Sequence, residues 1–210
     1  RTLSEASYDR SRREETIRFV MKELAHRSKN LIAVVMSMVR QTARQADNID
    51  AMTEAITNRI LGLGKSIDLL TQTDWRNVPL AELLKQQTAS FGKAVQLDGP
   101  KILLRAEAVQ HLGMAIHELG TNAVKYGALS TTTGKVDIGW SIQTDASGEY
   151  LVLEWKETGG PPATPPDKTG FGSQILDQFV ALSLNGTTTL NYGKQGFCWS
   201  IKAPLEQFTG

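Results

Sequence analysis

Along the first third of the chain, apolar residues return at alternating intervals of four and three. Ile17, Met21, Leu24, Leu31, Val35 and Met38 form the series, with Ser28 in register among them. That spacing is a heptad seam and predicts one long helix. After the polar stretch "QADNID" the pattern resumes with Ile49, Met52, Ile56, Ile60, Leu63, Ile67 and Leu70. Two long helices joined by a short connection make a helical hairpin. A single hairpin leaves part of its apolar surface uncovered, so the expected assembly is a dimeric four-helix bundle.

The pattern changes at "TQTDWRNVPL", which carries Pro79 among turn-forming polar residues. A domain boundary is expected there, with residues 1–74 as the helical hairpin and 75–210 as a second domain. A short helix, "LAELLKQQTASF", precedes a strand-like "VQLDGPKILL", and a long helix follows from about Glu107 to Tyr126. The alternating runs "KVDIGWSIQ" and "YLVLEWKET" read as strands on either side of a turn. A Pro/Gly-rich loop then leads to a predicted helix, "SQILDQFVALSL", and a last hairpin pattern, "GTTTLNYGKQGFCWSIKAPL". Helices and strands are segregated in this way in an α+β fold.

Bulk properties narrow the function classes. The chain has 210 residues and a formal net charge of +1, with a sequence pI of about 8.0. No large field of one sign results, so neither a nucleic-acid groove nor an acidic-lipid surface is indicated. Cys198 is the single cysteine. It excludes an intrachain disulfide and fits a reducing compartment, so a cytoplasmic location is expected. The longest apolar run, "LIAVVMSMV", is shorter than the roughly 18 residues that a membrane-spanning helix needs. There is no signal-peptide layout, and no Cys/His cluster has zinc-ligand spacing. Because the chain opens on Arg1, we expect it to be a fragment from which an upstream sensor domain is missing, with "RTLSEASYDRSRREET" as a charged connector.

Three segments carry candidate chemistry. In "ELAHRSKNL", His26 lies roughly 140° to 220° around the helix from Ile17, Met21, Leu24 and Leu31 at about 100° per residue, and so faces away from the seam. Glu23, Lys29 and Asn30 share its face. A neutral imidazole is a nucleophile toward phosphorus, and cations such as Arg27 and Lys29 offset the charge of an arriving phosphoryl group. In "HELGTNAVKYGALS", Leu112, Ile116, Leu119 and Ala123 of the same predicted helix form a buried stripe. Glu118, Asn122 and Lys125 fall on its other side. A carboxylate, an amide oxygen and an ammonium in one row suit a polar outer face, or else orientation of a nucleophile, magnesium ligation and contact with a phosphate chain. In "LEWKETGGPPATPPDKTGFGS", a strand ends at Glu157, turns on Gly159 and Gly160, and runs through Pro161, Pro162, Pro165 and Pro166 to Gly170 and Gly172. Such a loop is either a plain surface connection or one whose backbone N–H groups approach a phosphate. Trp75, Trp140 and Trp199 read as packing anchors, and His111 as a solvated residue off the buried stripe.

Together these segments resemble the HWE group of sensor histidine kinases, over nearly the whole chain. "ELAHRSKNL" is similar to that group's acceptor box, "HELGTNAVKYGALS" to its N box, and "LEWKETGGP" with "GFGSQIL" to its two glycine boxes. The three residues that name the group stand here as His117, Trp155 and Glu157. The resemblance implies an ATP-binding α/β sandwich of the GHKL (Bergerat) type after the hairpin. It implies that His26 accepts the γ-phosphoryl group of ATP, that Asn122 holds Mg2+, and that Glu157 meets the adenine amino group. Lys125, Tyr126, Gly159, Gly160, Gly170, Gly172 and Ser173 complete the nucleotide site, and Glu118 is a catalytic candidate. The implied partners are a second copy of the chain and the receiver domain of a response regulator. The chain departs from commoner histidine kinases in placing Arg27 directly after the acceptor, where they carry an acid. Glu23, Glu118 or no dedicated base then remains open.

Two other function classes are compatible with parts of the pattern. One is an adaptor that binds nucleotide or a receiver domain without efficient transfer. The other is an ATPase of the same superfamily with no protein acceptor, which would have no use for the His26 hairpin.

Overall fold

The computed structural model describes residues 3–45, 48–73, 75, 77–165 and 175–209, and the side chains among them other than those of residues 3–11, 27, 41, 45 and 93. The chain forms two compact units, Arg1–Arg44 and Gln45–Gly210.

The first unit is built on helix α1, Leu3–Gln45. Ile17, Met21 and Leu24 of the seam are 61%, 60% and 56% exposed, and Phe19 and Val20 beside them are exposed as well. His26 is exposed on the same helix.

The second unit opens with helix α2, Ile49–Gln72, whose first turn is capped by Asn48 accepting a hydrogen bond from the Ala51 backbone N–H at 2.8 Å. Strand β1 (Val78–Pro79) is followed by α3 (Leu80–Thr88) and a 3₁₀ segment, Ala89–Ala94. The strand expected across residues 95–104 is two strands, β2 (Val95–Asp98) and β3 (Leu103–Leu104). Gly99 and Pro100 interrupt it, since proline has no N–H to give a ladder. Helix α4 (Ala106–Lys125), strands β4 (Lys135–Asp145) and β5 (Gly148–Thr158), and strands β6 (Thr187–Gly193) and β7 (Gly196–Pro204) follow. Where a helix was expected over residues 173–184, the described part is a π-helical turn, Ile175–Phe179, running into one α-helical turn, α5, Val180–Ser183.

The main sheet has five strands in the order β2-β4-β5-β7-β6. Strand β2 pairs parallel to β4, and the remaining neighbours are antiparallel. Alternation along β5 turns Leu151, Leu153, Trp155 and Glu157 inward. Their sheet neighbours Val136, Ile138, Trp199, Ile201 and Ala203 are buried too, and Leu112, Ile116, Leu119 and Ala123 of α4 are fully buried. A sheet with one packed face and one polar face needs this period of two. The architecture is α+β, as the element order predicts. Trp140 and Trp199 are core anchors as expected, and their indole N–H groups donate to the Pro100 and Leu176 carbonyls at 2.7 Å and 2.8 Å.

His111 departs from its sequence reading. It is half-buried, its ring meets Phe179 edge-on at 5.5 Å, and its Nδ1 is sealed from solvent. The helix side that periodicity leaves outside the stripe is covered here by the Ile175–Phe179 turn. Burial pushes the His111 pKa down to about 4, against the pull of Glu107, so the ring is neutral at neutral pH.

Helix α2 buries Arg59, Gly62, Leu63, Ser66, Leu69 and Leu70, while Ile49 and Ile60 of the heptad series remain exposed. Its small residues let it approach α4 closely. A Cβ on Gly62 would stand 2.7 Å from the His117 ring, whereas one on Gly64 would meet nothing within 4 Å. Gln87 of α3 closes the junction by donating to the Gly62 carbonyl at 3.1 Å and to Ser66 Oγ at 3.0 Å. Both glycines lose helix propensity relative to alanine, by about 1 kcal/mol. Gly64→Ala is therefore expected to stabilise the fold by roughly 0.5–1 kcal/mol. Gly62→Ala is expected to destabilise it by about 1–2 kcal/mol, because overpacking against His117 outweighs the same gain. Urea denaturation of the two variants checks the opposite signs, and equal stabilisation would contradict the close approach.

Candidate functional site

The C-terminal end of α4 is closed by its own backbone. The Asn122 carbonyl accepts from the Tyr126 and Gly127 N–H groups at 2.8 Å and 3.1 Å, and a 3₁₀ turn, Ala128–Ser130, follows. The chain there meets the end of β5. Glu157 is 4% exposed. Its Oε2 accepts the Ala128 N–H at 2.7 Å and its Oε1 accepts the Trp155 indole N–H at 3.0 Å. Burial pushes the Glu157 carboxyl above the usual range, and the Ala128 and Trp155 hydrogen bonds pull it back.

The turn after Glu157 is held from the same side. Gly159 adopts φ 74°, a left-handed conformation suited to glycine. Its carbonyl accepts from the Thr131 and Thr133 hydroxyls at 3.1 Å and 3.2 Å. Gly160 lies so near Ala128 that a Cβ would come within 2.4 Å of the Ala128 Cα. Strand β5, the glycine turn and the segment after α4 are thus packed together, with the Glu157 carboxylate held between β5 and the segment after α4.

Three α4 residues singled out from the sequence, His117, Glu118 and Lys125, lie toward α2. Glu118 is half-buried, and burial raises its carboxyl pKa against the charges of Arg59 and Lys125. Burial likewise lowers the Arg59 pKa to about 10, with Glu118 opposing. Lys125 is ion-paired with Glu54 of α2. His117 packs at the same junction, its pKa lowered by burial and by Lys65 while a hydrogen bond to the Asn58 backbone opposes both. Asn122 is half-buried, and Tyr126 is 74% exposed.

The structure therefore brings Glu157, Gly159 and Gly160 together at the end of α4, in the same unit as Glu118, Asn122 and Lys125. His26 belongs to the other unit. Gly170, Gly172 and Ser173 lie outside the described residues, as does the Arg27 side chain. Sequence reasoning did not single out Thr131 and Thr133, the Trp155–Glu157 link, or the α2 residues Glu54 and Arg59. Only the link left a legible trace, an acid at an inward position of an alternating strand, two residues from a tryptophan. Among the described residues, no group of three or more His, Cys, Asp and Glu could hold a metal ion.

Comparison with known proteins bears directly on this arrangement. The family model described as HWE histidine kinase matches residues 23–101, which include His26 and all of α2. Over those residues the chain is similar to the HWE histidine kinases. A blue-light-activated histidine kinase of Brucella anthropi is 29% identical over 201 residues, 94% of this chain and 41% of the relative. A Brucella ovis protein of the same description is 29% identical over 208 residues, 96% of this chain and 42% of the relative. The chain thus spans about two fifths of the length of these curated relatives.

Among solved structures, the histidine kinase domain of a blue-light-activated histidine kinase from Erythrobacter litoralis has the same fold. It superposes with a TM-score of 0.54 at 17% identity, covering 82% of this chain and 97% of that one. A longer structure of the same protein gives 0.58 at 17% identity, covering 89% of this chain and 59% of that one. The fold is shared with that histidine kinase domain, and among the described residues no helix is long and apolar enough to cross a membrane.

Proposed function

We propose that this chain is the kinase core of a two-component sensor, in which His26 takes the γ-phosphoryl group of ATP and passes it to an aspartate of a response-regulator receiver domain. The observation that carries the reading is Glu157, a buried carboxylate held as a hydrogen-bond acceptor by the Ala128 and Trp155 N–H groups, against Gly127 just past the end of α4. An amino group on a flat heterocycle suits that acceptor. The functional domains are taken as residues 1–74, for dimerisation and the phosphoacceptor, and 75–210, for nucleotide binding.

The residues fit Mg-ATP in a particular way. With no cluster of anionic or imidazole ligands among the described residues, the donor set suits a magnesium ion that arrives with phosphates and takes the Asn122 amide oxygen as its protein ligand. Bound magnesium supplies charge neutralisation on the phosphate oxygens. Lys125 reaches a phosphate by leaving Glu54, and an exposed ion pair of this kind is weak. Glu118 is a general-base candidate because burial raises its proton affinity, and Glu23, three residues before His26, is the alternative on α1. In the transfer, a ring-nitrogen lone pair of His26 forms the N–P bond as the bond from phosphorus to the ADP oxygen breaks. The other ring nitrogen then sheds its proton. The exposed Ile17, Phe19, Val20, Met21 and Leu24 of α1 offer the surface on which a second copy completes the four-helix bundle.

Incubating the chain with γ-labelled ATP and magnesium tests the reading. Acid-labile label on the protein, chased onto a receiver domain, is the expected result. Nucleotide binding without labelling would instead indicate an adaptor, and free phosphate without labelled protein an ATPase.

A further inference from the structure

We propose that Trp155 is a positioning residue for purine selection: its indole N–H fixes the Glu157 carboxylate as an acceptor, so that the site prefers an amino group to a carbonyl at the purine 6-position. The inference rests on the reading that Glu157 meets the base, and adds the residue that makes that contact selective.

Trp155 and Glu157 are two residues apart on the inward face of β5. Trp155 is fully buried, and its Nε1–H donates to Glu157 Oε1 at 3.0 Å. Its cross-strand neighbour Trp199 is equally buried but sends its indole N–H to the Leu176 carbonyl. Two tryptophans therefore pack side by side in the core, and only one is tied to the carboxylate. The second oxygen of Glu157 is held by the Ala128 N–H. Each oxygen thus has one donor and keeps a lone pair for a ligand.

The chemistry of a buried carboxyl makes this arrangement matter. Without donors, a desolvated carboxyl takes up a proton, and its O–H then donates to a carbonyl as readily as its other oxygen accepts from an amine. N–H donors on both oxygens favour the ionised form, which only accepts. An ionised acceptor attracts the 6-amino group of adenine and repels the 6-oxo group of hypoxanthine. Removing the indole N–H leaves the purine pocket in place but relaxes that distinction.

The test measures ADP and inosine diphosphate affinities by calorimetry for the parent chain, Glu157→Gln and Trp155→Phe. The parent is expected to prefer ADP, and Trp155→Phe to narrow the ADP-to-inosine ratio about tenfold. Replacing Trp155 alone by benzothienylalanine, which keeps the bicyclic shape and exchanges N–H for sulfur, is expected to do the same in a chain whose packing is preserved. An unchanged ratio in that variant, whatever happens to the two affinities together, overturns the proposal. A parent that binds both nucleotides equally, with Glu157→Gln unaltered, overturns the reading of Glu157 itself.

Discussion

Replacing Asn122 by alanine is expected to lower autophosphorylation by about 100-fold or more, the scale set by loss of a group that helps neutralise a transferring phosphoryl group. The substitution separates side chain from backbone cleanly. The Asn122 carbonyl, which closes α4 by accepting from Tyr126 and Gly127, is retained in every variant, and alanine favours the helix. What disappears is the amide oxygen proposed to bind magnesium. ADP affinity without magnesium should change little, while the gain in affinity on adding magnesium should largely vanish. Autophosphorylation rates and magnesium titrations check both arms. An Asn122→Ala chain with the parent's magnesium dependence would remove Asn122 from the site.

Gly127→Ala is the second large effect, and its cause is steric. Gly127 has φ −109° and ψ −153°, an extended conformation open to any residue, so backbone strain is not involved. A Cβ there would sit 2.0 Å from Glu157 Oε2. The carboxylate must move, and it gives up the Ala128 N–H in doing so. Nucleotide affinity is expected to fall by about tenfold or more, since a hydrogen bond to a charged group is worth roughly 1.5–3 kcal/mol. Stability should fall by about 1–3 kcal/mol from overpacking. If the effect passes through Glu157, combining Gly127→Ala with Glu157→Gln should cost much less nucleotide affinity than the two single losses together. Additive losses in the double variant would show that Gly127 acts on something else.

Much of this arrangement was legible in the sequence, for reasons that also explain where the legibility ends. The stripe Leu112, Ile116, Leu119 and Ala123 has one apolar face, so periodicity assigns it without ambiguity, and all four residues are fully buried. Helix α2 has two candidate faces. The heptad series includes Ile49 and Ile60, which are exposed, and the face that packs on α4 is marked by Gly62 and Ser66, which hydropathy does not notice. The sequence reading ran one strand through Gly99 and Pro100, and the second strand beyond them depended on Leu103 and Leu104 finding Val78 and Pro79 as partners.

The site divides in the same way. Glu157 could be placed by motif and by the alternation of β5. Its hydrogen bonds join residues 29 apart to Ala128 and two apart to Trp155, and only the second lies within reach of a local reading. The Lys125–Glu54 pair joins residues 71 apart, and nothing in either local pattern announces it. His111 was misjudged because an off-stripe position on a helix is solvated only if no other element covers it.

The central claim is that His26 carries the phosphoryl group. Mapping phosphate by peptide mass spectrometry under neutral conditions, after incubation with Mg-ATP, tests it most directly, with His26→Gln run in parallel. The account predicts an acid-labile phosphate on the peptide holding His26 and none on the variant. Equal labelling of His26→Gln, or phosphate mapped to another residue, would contradict it.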